Sequence, residues 1–120
     1  ELMGDRLVVL VPGRVLAFSL RNGKQVSKRT VPNVPSAGVC GTTTCPAVAL
    51  RLLDASRGLV AYVHSGDLHL FRLRDGQDAV VAQATDARFG DTGLFYAYTA
   101  TGTFPSRIRF VPWGSLPVQP

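Results

Sequence analysis

What this chain of 120 residues lacks narrows its chemistry first. No apolar run approaches the roughly 18 residues that a membrane-spanning helix needs, so no membrane span is expected. A zinc site usually takes four ligands at characteristic spacings, and neither His64 nor His69 has the neighbours such a site uses. The phosphate-binding loop, the dinucleotide fingerprint, the EF-hand loop and the G-x-S-x-G elbow are all missing. The acidic residues include no pair that marks an acid–base site; Asp75, Asp78, Asp86 and Asp91 read as turn and solvent residues. No cofactor and no metal is expected. Lysine is scarce too: Lys24 and Lys28 stand against eleven arginines, within a net charge of +5. The arginines are scattered among acids, and Arg72/Arg74 and Arg107/Arg109 recur at period 2, which places each pair on one strand face. These read as solvated sheet faces, with an anion-binding stripe as the alternative. The aromatic interleaving of RNA-reading surfaces is missing, and no nucleic-acid partner is expected.

What is present is repetition. GRVLAFSLRNG at Gly13–Gly23 returns as GDLHLFRLRDG at Gly66–Gly76, 53 residues later. Such self-similarity marks one supersecondary unit copied and stacked. In the first copy Leu7–Val11, Val15–Leu20 and Lys24–Val31 read as strands, separated by Pro12-Gly13 and Asn22-Gly23. Asn-Gly is a strong hairpin signal because both central residues of a tight turn need positive φ. In the second copy an upstream strand at Ala47–Leu53 ends at Asp54–Gly58, and Leu59–Val63, Leu68–Leu73 and Gln77–Thr85 follow. Aligning apolar residues matches Leu7 with Leu59 at a shift of 52, whereas Gly13 matches Gly66 at 53. A weaker third copy aligns Gly93–Ala100 with Gly58–Val63 at a shift of 35. Arg88-Phe89-Gly90 is the remnant of its first strand and Arg107–Val111 its returning strand, in a register that shifts of 39 and 40 both fit.

The unit of strand, turn, apolar strand, tight glycine turn and polar strand resembles a β-propeller blade of the TolB-like or quinoprotein-like kind. Its core is Gly-x4-Phe-x-Leu-Arg-x-Gly, and Leu52–Thr85 fits the order best. The resemblance implies an all-β fold of antiparallel four-stranded blades, one full and two partial. The expected divisions of this single repeat domain are a partial blade at about 6–31, a surface loop at 32–46, a full blade at about 47–85, a partial blade at about 86–113 and a tail at 114–120. Propellers contain four to eight blades, so the chain is expected to be a C-terminal piece of a larger propeller. An oligomer-completed assembly and a small sandwich or barrel are the alternatives. In the family, closure is often made by the other end of the chain, which supplies a missing strand. The ligands of the catalytic families are absent.

The function that follows is a non-enzymatic scaffold or binding module whose loops meet a protein or small ligand. The alternative is an accessory propeller segment of an enzyme, a quinoprotein dehydrogenase or a propeller-bearing hydrolase, with its catalytic residues elsewhere. Candidate partner-binding residues are Arg57 and Arg88 on turns between units, Phe104 on a loop and Trp113 on the tail, since exposed aromatics can anchor a partner. Trp113 folded back over the last sheet is the competing reading. Cys40 and Cys45 close the segment CGTTTC and are expected to form a disulfide that staples a surface loop, with two free thiols as the alternative. That bridge is the one indication of an extracytoplasmic location, whether exported, periplasmic or in the cell envelope. His64, Ser65 and Asp67 share one turn, whereas a catalytic triad draws on different elements. His69 replaces the aligned Leu16 and reads as a hydrogen-bonded core residue, with Asp67 on its face as a plausible partner.

Overall fold

The computed structural model describes residues 1–11, 14–31, 39–40, 43–44, 50–99 and 107–120. Strand follows strand in them, each antiparallel to the one before it within its sheet. The first sheet is β1 (Leu2–Met3), β2 (Arg6–Val11), β3 (Arg14–Ser19) and β4 (Gln25–Thr30), hydrogen-bonded in chain order. A small ribbon, β5 (Val39–Cys40) and β6 (Thr43–Thr44), lies within the expected surface loop. The second sheet is β7 (Leu50–Ser56), β8 (Leu59–His64), β9 (Asp67–Arg72) and β10 (Asp78–Gln83). The third is β11 (Asp86–Phe89), β12 (Gly93–Tyr98) and β13 (Arg107–Pro112), followed by one turn of 3-10 helix at Trp113–Ser115. The all-β, antiparallel expectation is met.

Side-chain alternation along β8 and β9 places the second sheet between the other two. Its rear face presents Ala55, Val60, Tyr62, Phe71 and Leu73 to Val8, Val15 and Val31 of the first unit. Its front face presents Leu59, Ala61, Leu68 and Leu70 to Ala87, Leu94 and Tyr96 of the third sheet. Successive side chains of a strand point to opposite faces, so a sheet covered on both sides reads as the near-continuous apolar run seen in LVAYV. Between the first two sheets, Arg29 donates to the carbonyl oxygens of Leu73 (3.0 Å) and Arg74 (2.6 Å). Between the second and third, Phe89 N donates to Asp54 Oδ2 at 2.7 Å and Arg88 Nη1 to Leu53 O at 2.9 Å. Strand contacts between sheets centre on β7, the first strand of the second sheet, which meets β1 and β2 on one side and β11 on the other.

The pairing registers correct the sequence alignment. Arg6 pairs with Ser19 as Leu59 pairs with Arg72, and Val8 with Ala17 as Ala61 with Leu70. Leu59 therefore corresponds to Arg6, not to Leu7, and the shift is 53 throughout the hairpin rather than 52 at its start. Met3 pairs with Arg6 just as Ser56 pairs with Leu59, so β1 supplies the first strand that the expected partial blade at 6–31 omitted. In the third sheet Phe89 pairs with Leu94 as Ala55 pairs with Val60, a shift of 34 rather than 35. Leu94 then corresponds to Val60, and both turn toward the preceding sheet. On β13, Val111 opposite Leu94 matches Phe71 opposite Val60, which fixes the last strand at a shift of 40. All three sheets therefore stack in one sense, front face of one on rear face of the next.

Three further expectations change. The first strand of the second sheet runs on to Ser56, past the expected end at Leu53, because a bulge between Leu52 and Asp54 lets Asp54 stay in the ladder while its carboxylate reaches Phe89 N. Residues 45–49, where that strand was expected to begin, lie outside those described. Asn22-Gly23 and Asp75-Gly76 are not two-residue turns with both φ angles positive; only the glycines are, at 71° and 76°. Asn22 Oδ1 instead accepts from Lys24 N (2.9 Å), and Asp75 Oδ1 from Gln77 N (3.2 Å), the side-chain mimic of a turn. Asp75 also takes a two-pronged pair from Arg72, at 2.9 and 2.6 Å, which holds its carboxyl down at about 2. The expected tail at 114–120 is part of the core, with Leu116 and Val118 buried between the second and third sheets.

Phe71 is fully buried at the first inter-sheet contact, whereas Val80 on β10 is 52% exposed. Phe71→Ala is expected to cost about 3–5 kcal/mol and Val80→Ala about 0.5 kcal/mol or less, measured by urea denaturation.

Candidate functional site

Two-residue turns join β7 to β8 and β8 to β9, and in both the first position is a non-glycine residue with positive φ: Arg57 at 51° and Ser65 at 50°. Left-handed backbone costs such a residue on the order of 1–2 kcal/mol. In the first sheet the position equivalent to Arg57 is Gly4, at 60°. What offsets the strain at Arg57 is a stack. Its guanidinium lies 4.6 Å from the centre of the Trp113 ring, and the indole also stacks on Phe89, with centroids 5.5 Å apart and planes within 8°. Trp113 Nε1 donates to Asp91 O at 2.9 Å, and Arg57 Nη2 reaches the same carbonyl at 3.4 Å. The β7–β8 turn, the β11–β12 turn and the chain after β13 are thereby clasped at one end of the stack. An arginine held over an aromatic face contributes about 0.5–1 kcal/mol at an exposed site, and Arg57 remains exposed.

Two of the four residues picked from sequence for partner binding, Arg57 and Trp113, thus come together, and Trp113 is half-buried against the last sheet. Arg88 lies apart from them, its Nη1 donating to Leu53 O, Ala87 O and Asp86 Oδ1 at 2.8–2.9 Å. Phe104 and Cys45 lie outside the described residues, and Cys40 is described in its backbone alone, so the expected Cys40–Cys45 disulfide falls outside them as well. Phe89 and Asp91 fall in the loop Arg88–Asp91, which the sequence marks as a candidate loop between units; their contacts with Trp113 were not anticipated.

His69 is the buried, hydrogen-bonded residue expected, but its partner differs. His69 meets Asp78, not Asp67: Nδ1 and Oδ2 are 3.1 Å apart, and Tyr62 donates to Asp78 Oδ1 at 2.8 Å. The imidazole stacks on Tyr62 at 4.8 Å. Asp67 shares the rear face of β9 with His69, but Asp78 enters from β10, where it pairs with Phe71 and sits nearer the buried end. Burial raises the Tyr62 phenol far above its ordinary range, reinforced by the hydrogen bond to Asp78 and then by its charge. It stays a neutral donor. The group ties β8, β9 and β10 together, and among the described residues no buried side-chain polar atom is left without a partner. His64, Ser65 and Asp67 remain around a hairpin turn, with the His64 ring 6.1 Å from that of His69.

The two outermost faces of the stack are apolar, and no described sheet packs on them. The rear of the first sheet presents Leu7, Val9, Leu16 and Phe18, with Leu7 37% exposed. The front of the third presents Phe95 (41%), Ala97, Ile108 (76%) and Phe110 (42%), where Phe95 and Phe110 lie 4.8 Å apart. Its other face carries Tyr96 and Tyr98, as their alternation with Phe95 implied, and Arg109 lies 5.1 Å from the centre of the Tyr98 ring. Arg74, paired with Arg72 in the sequence reading, falls beyond the end of β9 in the turn, so those two do not share a strand face. Among the described residues, no group of three or more potential metal ligands converges. No family model, curated protein or solved structure matches the chain.

Trp113 is the single tryptophan of the chain, so its fluorescence reports the clasp directly. Arg57→Gln is expected to raise acrylamide quenching of that fluorescence while leaving the far-ultraviolet dichroism unchanged; unaltered quenching would mean that the guanidinium does not cover the indole.

Proposed function

We propose that this chain is a non-enzymatic scaffold and binding module of the β-propeller type, belonging to an exported or cell-envelope protein. Its sheets act as blades, and the turns between them face a protein or a small ligand. The observation that supports this best is the stacking: three sheets in one sense, two of them related by a constant 53-residue shift, with first strands in mutual contact. Blades around a central axis meet at their first strands and spread outward, and a rigid ring leaves its loops free to carry recognition. Such recognition centres on the exposed Arg57 beside Trp113, a cationic and an aromatic side chain brought together at one end of the stack. The exported location rests on the Cys40–Cys45 spacing alone.

The test is the spread of the sheets. Pulsed electron–electron distances between spin labels at Lys28 and Val80, on the fourth strands, are expected to exceed those between Leu2 and Arg51, on the first strands. Equal distances at both ends, as in flat layers about 10 Å apart, would overturn the propeller reading.

A further inference from the structure

We infer that the cleft between the first and second sheets binds a tetrahedral oxyanion, a phosphate or sulfate group carried on a small molecule, through Arg6, Arg29 and Arg74. The cleft has a volume of about 240 Å³. A water takes about 30 Å³ in the liquid, so an oxyanion and part of its carrier fit together. The three arginines line it beside an apolar wall that includes Met3 and Leu73, and Ser27 adds a hydroxyl. All eight acidic residues of the sequence are among those described, and none lines the cleft. The ion pairs of the described residues are His69–Asp78, Arg72–Asp75 and Arg88–Asp86, so none of the three arginines is matched by a carboxylate among them.

Strand register explains the convergence. Arg6 shares a face of β2 with Val8, Ser27 lies opposite Ala17, and Arg29 lies opposite Val15. All three thus stand on the front of the first sheet, toward the second, where Gly58 precedes β8 and Leu73 and Arg74 follow β9. Arg29 is fixed there, since its Nε and Nη2 donate to the carbonyl oxygens of Leu73 and Arg74. Its Nη1 donors remain for a ligand. One guanidinium fork spans the two oxygens of a carboxylate, whereas forks arriving from three segments suit the three acceptor oxygens of a phosphate or sulfate group. Like charges gathered in one concave place also raise the local concentration of anions.

The equivalent place between the second and third sheets is built otherwise. Leu59 stands there for Arg6, Ala79 for Ser27 and Ala82 for Arg29, all packed in the apolar core. Trp113 N donates to Thr92 O at 3.3 Å as Leu73 N donates to Gly58 O at 3.0 Å. Beyond Trp113 the chain buries Leu116 and Val118 in that junction, and Gln119 O accepts from Arg72 at 3.1 Å. An apolar lining takes an apolar segment; where the lining is arginine, the fitting occupant is an anion. The site needs only the contact between two adjacent sheets and stands whether or not they belong to a ring.

The experiment is titration of the whole chain with inorganic phosphate at constant ionic strength, followed by calorimetry and amide chemical shifts. Saturable one-to-one binding is expected, with shifts confined to the surroundings of Arg6, Ser27, Gly58 and Arg74. Sulfate is expected to compete, and acetate to bind about tenfold or more weakly. Arg6→Gln and Arg74→Gln are each expected to weaken phosphate about tenfold or more, the loss of a charged hydrogen bond, while Arg107→Gln on the third sheet leaves it within about twofold. The wild-type shift map locates the site even if a variant unfolds. Phenyl phosphate against phenyl sulfate then decides which ester the cleft prefers. A response that does not saturate, shifts spread over the arginines of all three sheets, or an equal loss with Arg107→Gln would overturn the inference. So would retention on heparin without binding of phosphate, which would make these arginines part of a polyanion surface.

Discussion

The fold depends on the two-residue alternation of β8 and β9, held by a register in which Leu59 opposes Arg72 and His64 opposes Asp67. Because this pair has neighbours on both sides, every position along it is committed. Leu59, Leu68 and Leu70 seal one contact, and Val60, Tyr62 and Phe71 the other, nearly all without exposure to solvent. Burying a side chain of this size contributes roughly 1.5–3 kcal/mol, so these six make up much of what holds three sheets in one body. A slip of one residue would exchange the faces. It would carry Asp67 and His69 toward the third sheet and the leucines toward the first.

The polar group on the rear face sharpens that commitment. Tyr62, His69 and Asp78 occupy positions that are Val9, Leu16 and Gln25 in the first unit, where no described sheet packs on the rear face. Placing a carboxylate against a buried sheet is costly unless its lone pairs are satisfied, and Asp78 is satisfied only when β8, β9 and β10 keep their register. The cluster thus acts on specificity of pairing more than on chemistry. The Arg57–Trp113–Phe89 stack does comparable work at the end of the stack, where backbone strain at one turn is held by contacts from two other segments.

Much of this was legible in the sequence. The repeat and the order of strands within each unit follow from GRVLAFSLRNG, GDLHLFRLRDG and GLFYAYTA. The faces were less legible. Matching Leu7 to Leu59, or Gly58 to Gly93, pairs residues of like chemistry that sit on opposite sides of the sheet; the ladder matches Arg6 to Leu59 and Leu59 to Gly93. Apolar runs buried on both sides have no alternation from which phase can be read, so only hydrogen-bond register restores it. The turns misled for a related reason: Asn22 and Asp75 serve through side-chain hydrogen bonds to the backbone, while the non-glycine positive φ angles fall on Arg57 and Ser65, which sequence preference does not favour. Of the candidate site, Arg57 and Trp113 were visible as residues, but not their contact across 56 positions. The Asp78–His69 pairing required knowledge of how β10 enters.

The central claim is that the sheets stack front to rear in one sense, since the propeller reading and the cationic cleft both follow from it. The most direct measurement is a set of nuclear Overhauser contacts from the methyl groups of Val8 and Val15 to the rings of Tyr62 and Phe71, and from those of Leu68 and Leu70 to Leu94 and Tyr96. Both sets are expected, together with none from Leu16 or Phe18 to the second sheet of the same chain. Contacts from Leu16 and Phe18 to Tyr62 and Phe71 within one chain would place the first sheet the other way round and contradict the stacking.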